Sequence, residues 1–213
     1  MDLHFSPSEE AFRTEVREWL SNNLPSERSR VDIRRFSQEE DREIQRQWQR
    51  RLYEGGWLTL GWSKENGGRA ASPIMSAIFQ EELARAGAPE LLGRTGALLH
   101  APTLMAYGSE SQRAAYVHGL LSGDVIFCQA WSEPGAGSDL AGLRTRAVLK
   151  DGKWVINGQK VWSGGAHYAD RALLLARTDP ELPPHKGLGM FIIDMHQPGI
   201  EARPIRQMMG RAI

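Results

Sequence analysis

The apolar residues change their spacing near Gly123, and that change leaves few architectures open to the chain. Before it they recur at helical intervals behind cap signals; after it they come in strand-length runs divided by turn dipeptides. Ser6-Pro-Ser-Glu9 supplies a capping Ser, a Pro at the first helical position and a Glu at the third. Phe12, Val16, Trp19 and Leu20 follow on one face. Ser37 predicts the cap of a second helix that runs through Trp48 and Leu52 and stops at Gly55-Gly56. Ser72-Pro73 opens a third, with Ile74, Ile78, Phe79 and Leu83 expected to face inward and Gly87 to end it. Residues 95–107 form a fourth apolar segment. Ser109-Glu-Ser-Gln112 caps a fifth, which carries Tyr116, Val117 and Leu120. All these faces read as core.

Beyond Gly123 the predicted strands are Val125–Gln129, Arg144–Leu149, Lys153–Ile156, Gln159–Trp162, Arg171–Ala176 and Met190–Asp194. Asp151-Gly152 joins two of them as a hairpin, and Asn157-Gly158 predicts a second tight turn. A loop from Thr178 to Gly187 separates the last two. The expectation is an antiparallel meander after a helical bundle: an α+β fold with a helical domain over 1–123 and a β domain over 124–213.

The charges exclude several functions. Among 213 residues, 26 are basic and 26 acidic, so the net charge is zero. That balance argues against nucleic acid and against a polybasic membrane anchor. The start of the chain has no basic region followed by an apolar run, and no apolar stretch approaches the ~20 residues of a membrane helix. One cysteine, Cys128, cannot form an internal disulfide, which points to a reducing cytoplasm. The basic residues are 21 Arg against 5 Lys, a bias expected of a GC-rich, bacterial genome. His100, His167 and His185 lack ligand spacing and Cys128 stands alone, so no zinc or iron site is expected.

Chemistry concentrates in Cys128-Gln-Ala-Trp-Ser-Glu-Pro-Gly-Ala-Gly-Ser-Asp139 and Asn157-Gly-Gln-Lys-Val-Trp-Ser163. The first run ends in Pro134–Asp139, with two glycines and one proline in six residues. Such a loop lets a ligand approach the backbone closely. Bare amides beside Ser132, Ser138 and Asp139 are donors suited to a phosphate or to the edge of a flat polar ring. The second run ends on the indole of Trp162. Each feature has a plainer reading. Ser132 could tie down its own turn, and Trp162 could be a partly buried aromatic. Glu133, before Pro134, could be nominated as a general base, but reads as a carboxylate that caps amides or pairs with an Arg. Arg144 and Arg146 read as a solvated strand face, and Asp124 and Asp194 as strand-end residues.

These two runs, with Gly56-Trp-Leu-Thr-Leu-Gly-Trp62, Glu81-Glu-Leu-Ala-Arg-Ala-Gly87, Ala166-His-Tyr-Ala-Asp170 and Arg203-Pro-Ile-Arg-Gln-Met208, closely resemble the acyl-CoA dehydrogenase family. The resemblance covers most of the chain. It implies a helical domain and an antiparallel β-barrel-like middle domain, the latter incomplete at its C-terminal end, with the family's second helical domain missing after Ile213. It implies FAD as cofactor, with Gln129, Trp131, Ser132, Trp162 and Gly164 around the flavin. Ser132 would meet the pyrimidine edge, and Gln129 and Trp131 would line the ring through main-chain contacts. Ser138 would touch an acyl-CoA substrate or the flavin phosphates. The family's hydroxyl two residues after the Trp is replaced here by Gly164, which can offer only its amide. The family's catalytic Glu belongs to the missing domain, so no catalytic residue is assigned.

The activity implied is α,β-dehydrogenation of an acyl-CoA thioester, with electrons passed to an electron-transfer flavoprotein and the chain working in a homo- or hetero-oligomer. Two alternatives stand beside it: a non-catalytic fragment or subunit that pairs with a complete partner, and a flavin-dependent acyl-CoA oxidase relative.

Overall fold

The computed structural model describes residues 4–25 and 38–208. The expected cap at Ser37 lies outside them. By contact the chain forms two units: Met1–Ala97 with Leu121–Asp124, and Leu98–Leu120 with Val125–Ile213.

In the first unit, helix α1 spans Pro7–Asn23 and starts as its sequence predicts. Ser6 Oγ accepts from the Glu9 amide, and Glu9 Oε2 accepts from the Ser6 amide at 2.7 Å, a reciprocal capping box. Helix α2 spans Gln38–Glu54, with Glu39, Glu40 and Asp41 in its first turn, where the helix dipole favours negative charge. It ends at Gly55-Gly56: Gly56 turns left-handed at φ +70°, and the Trp57 amide donates to Leu52 O at 2.9 Å. A Cβ on Gly55 would lie 2.8 Å from Trp57 Cδ1 and 2.9 Å from Trp19 Cζ2, so the absent side chain lets the two indoles close. Helix α3 spans Pro73–Arg85, with Ser72 Oγ accepting from the Met75 amide.

The core joins Phe12, Val16, Leu20, Trp48, Leu52, Trp57, Ile78 and Phe79. Trp57 stacks on Phe79 at 5.3 Å, and Trp19 meets Trp48 and Trp57 at 5.7 and 5.5 Å. Ile74, expected inward, is 49% exposed, because it stands in the first turn of α3, ahead of the buried pair Ile78 and Phe79. The buried face of α3 takes a carboxylate as well. Glu82, 3% exposed, accepts from Arg13 Nη1 at 2.8 Å and from Arg17 Nε at 2.8 Å. Gln49 is fully buried; its Oε1 accepts from the Gly93 amide at 2.8 Å.

The second unit holds α4 (Ala101–Tyr107), entered through a π-turn at Gly96–His100, and most of α5 (Glu110–Ser122). Ser109 and Gln112 cap α5 reciprocally, as expected. The strands are β1 (Phe127–Ala130), β2 (Arg146–Lys150), β3 (Lys153–Asn157), β4 (Arg171–Arg177) and β5 (Leu188–Asp194). The α+β class stands, but the sheet is mixed rather than wholly antiparallel, and it does not close. β1 runs parallel to β4 (Phe127 opposite Arg171, Ala130 opposite Leu174), and β4 runs antiparallel to β5 (Arg171 opposite Asp194). Parallel neighbours need a long crossover. The connection here contains the whole β2–β3 hairpin and brings the chain back beside β1 in the same direction.

Asp151 (φ +49°) and Gly152 (φ +74°) are both left-handed, which is the turn the dipeptide predicts. Gln159–Trp162, expected as a strand, is not one. The Val161 amide donates to Ser132 O at 2.9 Å, and Trp162 at φ +61° breaks the strand alternation. Gly158 makes no tight turn. It lets the chain pass Thr145, whose Oγ1 would sit 2.2 Å from an added Cβ.

Candidate functional site

The loop after β1 is organised by a carboxylate. Glu133 N donates to Ala136 O at 2.8 Å and Ala136 N returns a bond to Glu133 O at 3.1 Å, closing a tight turn. The side chain reaches the opposite way. Glu133 Oε2 accepts from the Arg144 amide at 2.7 Å, and Oε1 accepts from the Thr145 amide at 2.8 Å and from Lys160 Nζ at 2.9 Å. Lys160 Nζ donates also to Trp131 O at 2.8 Å. Both side chains are largely buried, at 8% and 10% exposure. Burial alone would raise the Glu133 pKa. The hydrogen bonds from Thr145, the Arg144 amide and Lys160 outweigh it and bring the group down to about 2. A carboxylate this committed is ionised and immobile, which matches the amide-capping reading of Glu133; its charged partner is a Lys rather than an Arg.

With the turn tied by Glu133, the nearby hydroxyls are spared that task. Among the described residues, the Ser132 and Ser138 hydroxyls form no hydrogen bond, so Ser132 does not tie down its own turn. Gly135 and Gly137 have open space where a Cβ would project, and neither needs a left-handed φ. Their effect is to leave the backbone bare on the outer side of the loop.

The Val161–Ser132 bond brings the second motif alongside the first. Trp162 follows at once, 70% exposed, its backbone in a conformation that a non-glycine residue rarely adopts. A partly buried core aromatic would not look like this. The Gly164 amide donates to Trp162 O at 3.0 Å and the Ala166 amide to Ser163 O at 3.0 Å, so the segment spends its amides internally. Gly164 has no neighbour within 4 Å of where a Cβ would stand. Among the described residues of this site, the buried Ser163 Oγ, Trp131 Nε1 and Thr145 Oγ1 have no hydrogen-bond partner.

Sequence reasoning expected the loop, Ser132 and Trp162 to meet in one concavity. A cleft of about 310 Å³ is lined by Glu133, Pro134, Gly135, Gly142, Arg144, Thr145, Gly158 and Gln159. It takes in the start of the loop, but Ser132, Ser138 and Trp162 do not line it. Gln129 is half-buried on β1, on the same face as Phe127, against which His100 packs at 5.9 Å. Sequence reasoning missed His100 as a buried group. It is 1% exposed, and burial lowers its pKa to about 4, against a small opposing effect of Gln129. It missed Lys160 too, although the lysine's position two residues before Trp162 was in view. Burial raises the Cys128 thiol to about 11, which leaves it unreactive. Among the described residues no group of His, Cys, Asp and Glu could hold a metal ion, and no helix is long and apolar enough to cross a membrane.

The acyl-CoA dehydrogenase N-terminal domain model matches residues 6–124, and the acyl-CoA dehydrogenase middle domain model matches residues 128–212. The acyl-CoA dehydrogenase IpdE1 of Mycobacterium tuberculosis (strain ATCC 25618 / H37Rv) is 40% identical over 205 residues, 95% of this chain and 53% of that protein. Among solved structures, the Tcur3481-Tcur3483 steroid ACAD superposes with a TM-score of 0.82 at 38% identity, over 100% of this chain and 54% of that one. The ChsE4-ChsE5 complex from Mycobacterium tuberculosis gives 0.81 at 36% identity, over 100% and 53%. The chain thus spans about half the length of these relatives. Two consecutive family models leave little of it unmatched, and the 213 residues belong to the acyl-CoA dehydrogenase family, a family of flavoprotein oxidoreductases.

Proposed function

We propose that this chain is the flavin-facing part of an acyl-CoA dehydrogenase, with its helical domain over 1–123 and its flavin-contacting domain over 124–213. The observation that carries the reading is the division of labour at the loop. Glu133 and Lys160 do the structural work, while Ser132 Oγ, Ser138 Oγ and the Trp162 indole stand ready for a ligand. The bare backbone at Gly135 and Gly137 and the orphaned Ser163 Oγ fit a flat, polar-edged cofactor such as FAD. Ser132 would meet the ring edge, Trp162 its face, and Gln129 and Trp131 the adjoining wall. Gly164, its amide already engaged, would let the ring pass close. Ser138 would meet the thioester substrate.

Bound FAD supplies the hydride acceptor for α,β-dehydrogenation of an acyl-CoA. The chain's residues position the reactants, which is the larger part of such catalysis. Glu133 does not serve as the base that removes the α proton: at a pKa of about 2 and with three donors on it, it is a poor proton acceptor. The base belongs to residues outside this set, and electrons would leave to an electron-transfer flavoprotein in the cytoplasm. A second reading follows from the half-length match and from relatives solved as two-component assemblies: the chain works as one subunit beside a partner that brings the remaining machinery.

The test is direct. The purified chain should retain FAD, and Trp162→Ala should weaken it by about three- to tenfold, the worth of one aromatic contact. Unchanged retention in that variant would return Trp162 to a structural role. With acyl-CoAs and an artificial electron acceptor, the chain alone should show negligible turnover; robust dye reduction that is abolished in Glu133→Gln while the variant stays folded and retains FAD would overturn the assignment of Glu133.

A further inference from the structure

Arg177, the last residue of β4, has its guanidinium on backbone carbonyls alone. Nη2 donates to Ala141 O at 2.5 Å and to Leu143 O at 3.3 Å, Nε to Leu143 O at 3.4 Å, and Nη1 to Pro184 O at 3.1 Å. Among the described residues it pairs with no carboxylate. A half-buried cation spent on backbone oxygens fixes geometry rather than neutralising charge, and only a planar fork reaches several acceptors at set angles.

The carbonyls belong to two loops. Ala141 lies in the 3-10 turn Leu140–Gly142 and Leu143 follows it. That turn closes the far end of the Pro134–Asp139 loop: the Gly142 amide donates to Asp139 O at 3.2 Å and the Leu143 amide to Leu140 O at 3.1 Å. Pro184 lies in the Thr178–Gly187 loop, whose ends meet where the Thr178 amide donates to Gly187 O at 3.0 Å. A Cβ on Gly187 would lie 2.0 Å from Asp179 O, so that closure needs a bare residue. Next along the chain from Leu143, the Arg144 and Thr145 amides donate to Glu133. Residues 141–145 are thus gripped twice, by a cation at their carbonyls and by an anion at their amides. Glu133 pins the loop where it begins and Arg177 where it ends. Ser138 stands between them, its hydroxyl without a partner.

We propose that Arg177 is a positioning residue for ligand binding: by holding the Leu140–Gly142 turn to β4 and to the Thr178–Gly187 loop, it keeps Ser138 where it meets an acyl-CoA. The inference rests on the reading of Ser138 given above and adds the residue through which that contact is held. Arg177 itself touches no ligand.

The experiment is a double-mutant cycle in the full chain loaded with FAD, with Arg177→Met and Ser138→Ala alone and together, titrated with butyryl-CoA. Near-UV circular dichroism establishes that each variant is folded at the temperature used. Ser138→Ala should weaken butyryl-CoA by about three- to tenfold, the worth of one hydrogen bond. Arg177→Met should weaken it by a similar factor, and the double variant should be no weaker than either, because the second change removes a contact already lost. FAD affinity, carried by Ser132 and Trp162, should stay near wild type. Arg177→Lys keeps the charge without the fork and should fall between wild type and Arg177→Met; if Arg177→Met does not fold, Arg177→Lys takes its place in the cycle. A merely structural Arg177 would lower the melting temperature and leave the affinity of the folded protein unchanged. Unchanged affinity in a folded Arg177 variant, an equal loss for FAD and butyryl-CoA, or losses that multiply in the double variant would overturn the positioning role while leaving the flavin site in place. A Ser138→Ala variant that binds butyryl-CoA as wild type does would overturn the reading of Ser138 and this inference with it. A wild-type chain that binds no FAD would overturn the flavin reading itself.

Discussion

Glu133→Gln should destabilise the second unit by about 3 kcal/mol at neutral pH, and the loss should fade in acid. The carboxyl moves from an ordinary value of 4.5 to about 2 on folding. At about 1.4 kcal/mol per pH unit, the ionised group favours the folded state by about 3 kcal/mol. Lys160 works the other way: burial lowers its pKa, and the attraction of Glu133 only partly restores it, so the net value of the pair is below that figure. Removing one partner nevertheless leaves the other buried without its counter-charge, which costs about 3–5 kcal/mol in comparable sites. Glutamine cannot replace the set, since one of its two atoms is itself a donor and would face the Arg144 amide or the Thr145 amide and Lys160.

The sign follows from the depressed pKa. The stabilisation is complete above about 4.5 and is lost as pH falls through about 2. Urea or thermal melts of wild type and variant should therefore differ by about 6–12 °C at neutral pH. The difference should narrow steadily below pH 4.5. A variant that melts with the wild type at neutral pH, or a gap that does not narrow in acid, would refute the clamp.

Three further outcomes are expected. Glu82→Gln should lower stability by about 2–3 kcal/mol in a urea melt, since it strips the buried acceptor from Arg13 and Arg17, the latter half-exposed; a midpoint unchanged from wild type would count against that cluster. His100, held near 4 by burial, stays neutral in the folded chain while the unfolded chain gains a proton below 6.5, so stability should fall between about pH 6.5 and 4 by up to about 3 kcal/mol, and His100→Leu should flatten that slope. The β2–β3 hairpin exposes Val148, Leu149, Trp154 and Val155, so light scattering should find self-association rising with concentration; a clean monomer throughout would oppose it.

Where structure is dictated by a few adjacent residues, the sequence was readable. The Ser6–Glu9 and Ser109–Gln112 caps and the Asp151-Gly152 turn are local chemistry and appear as expected. Where it depends on distant partners, the reading failed in specific ways. Nothing in Phe127–Ala130 announces a parallel neighbour in Arg171–Arg177, because that pairing is decided by the path between them. The strand expected at Gln159–Trp162 has suitable residues, but its Val161 amide is claimed by Ser132 and its last residue turns left-handed. Glu133 was legible as structural from its place before Pro134, yet its partner was not, since Lys160 lies far along the chain. Ile74 satisfied the helical period and still faces water, as periodicity does not say where along a helix the core begins. The loop's bare backbone was legible; the idle hydroxyl of Ser163 was not, because idleness shows only once every neighbour's bonds are accounted for.

The backbone at Trp162 sets a limit on improving this protein. A bulky residue held at φ +61° costs about 1–2 kcal/mol relative to one that adopts that conformation freely. Trp162→Gly or Trp162→Asn would relieve that strain while removing a side chain that contributes little packing, being largely in solvent. Selection for heat resistance alone, by library screening or by choosing residues suited to the local backbone, would therefore tend to discard the indole. On the flavin role proposed for Trp162, a thermostable descendant obtained that way would fold better and bind FAD less, and an unchanged FAD affinity in it would speak against that role.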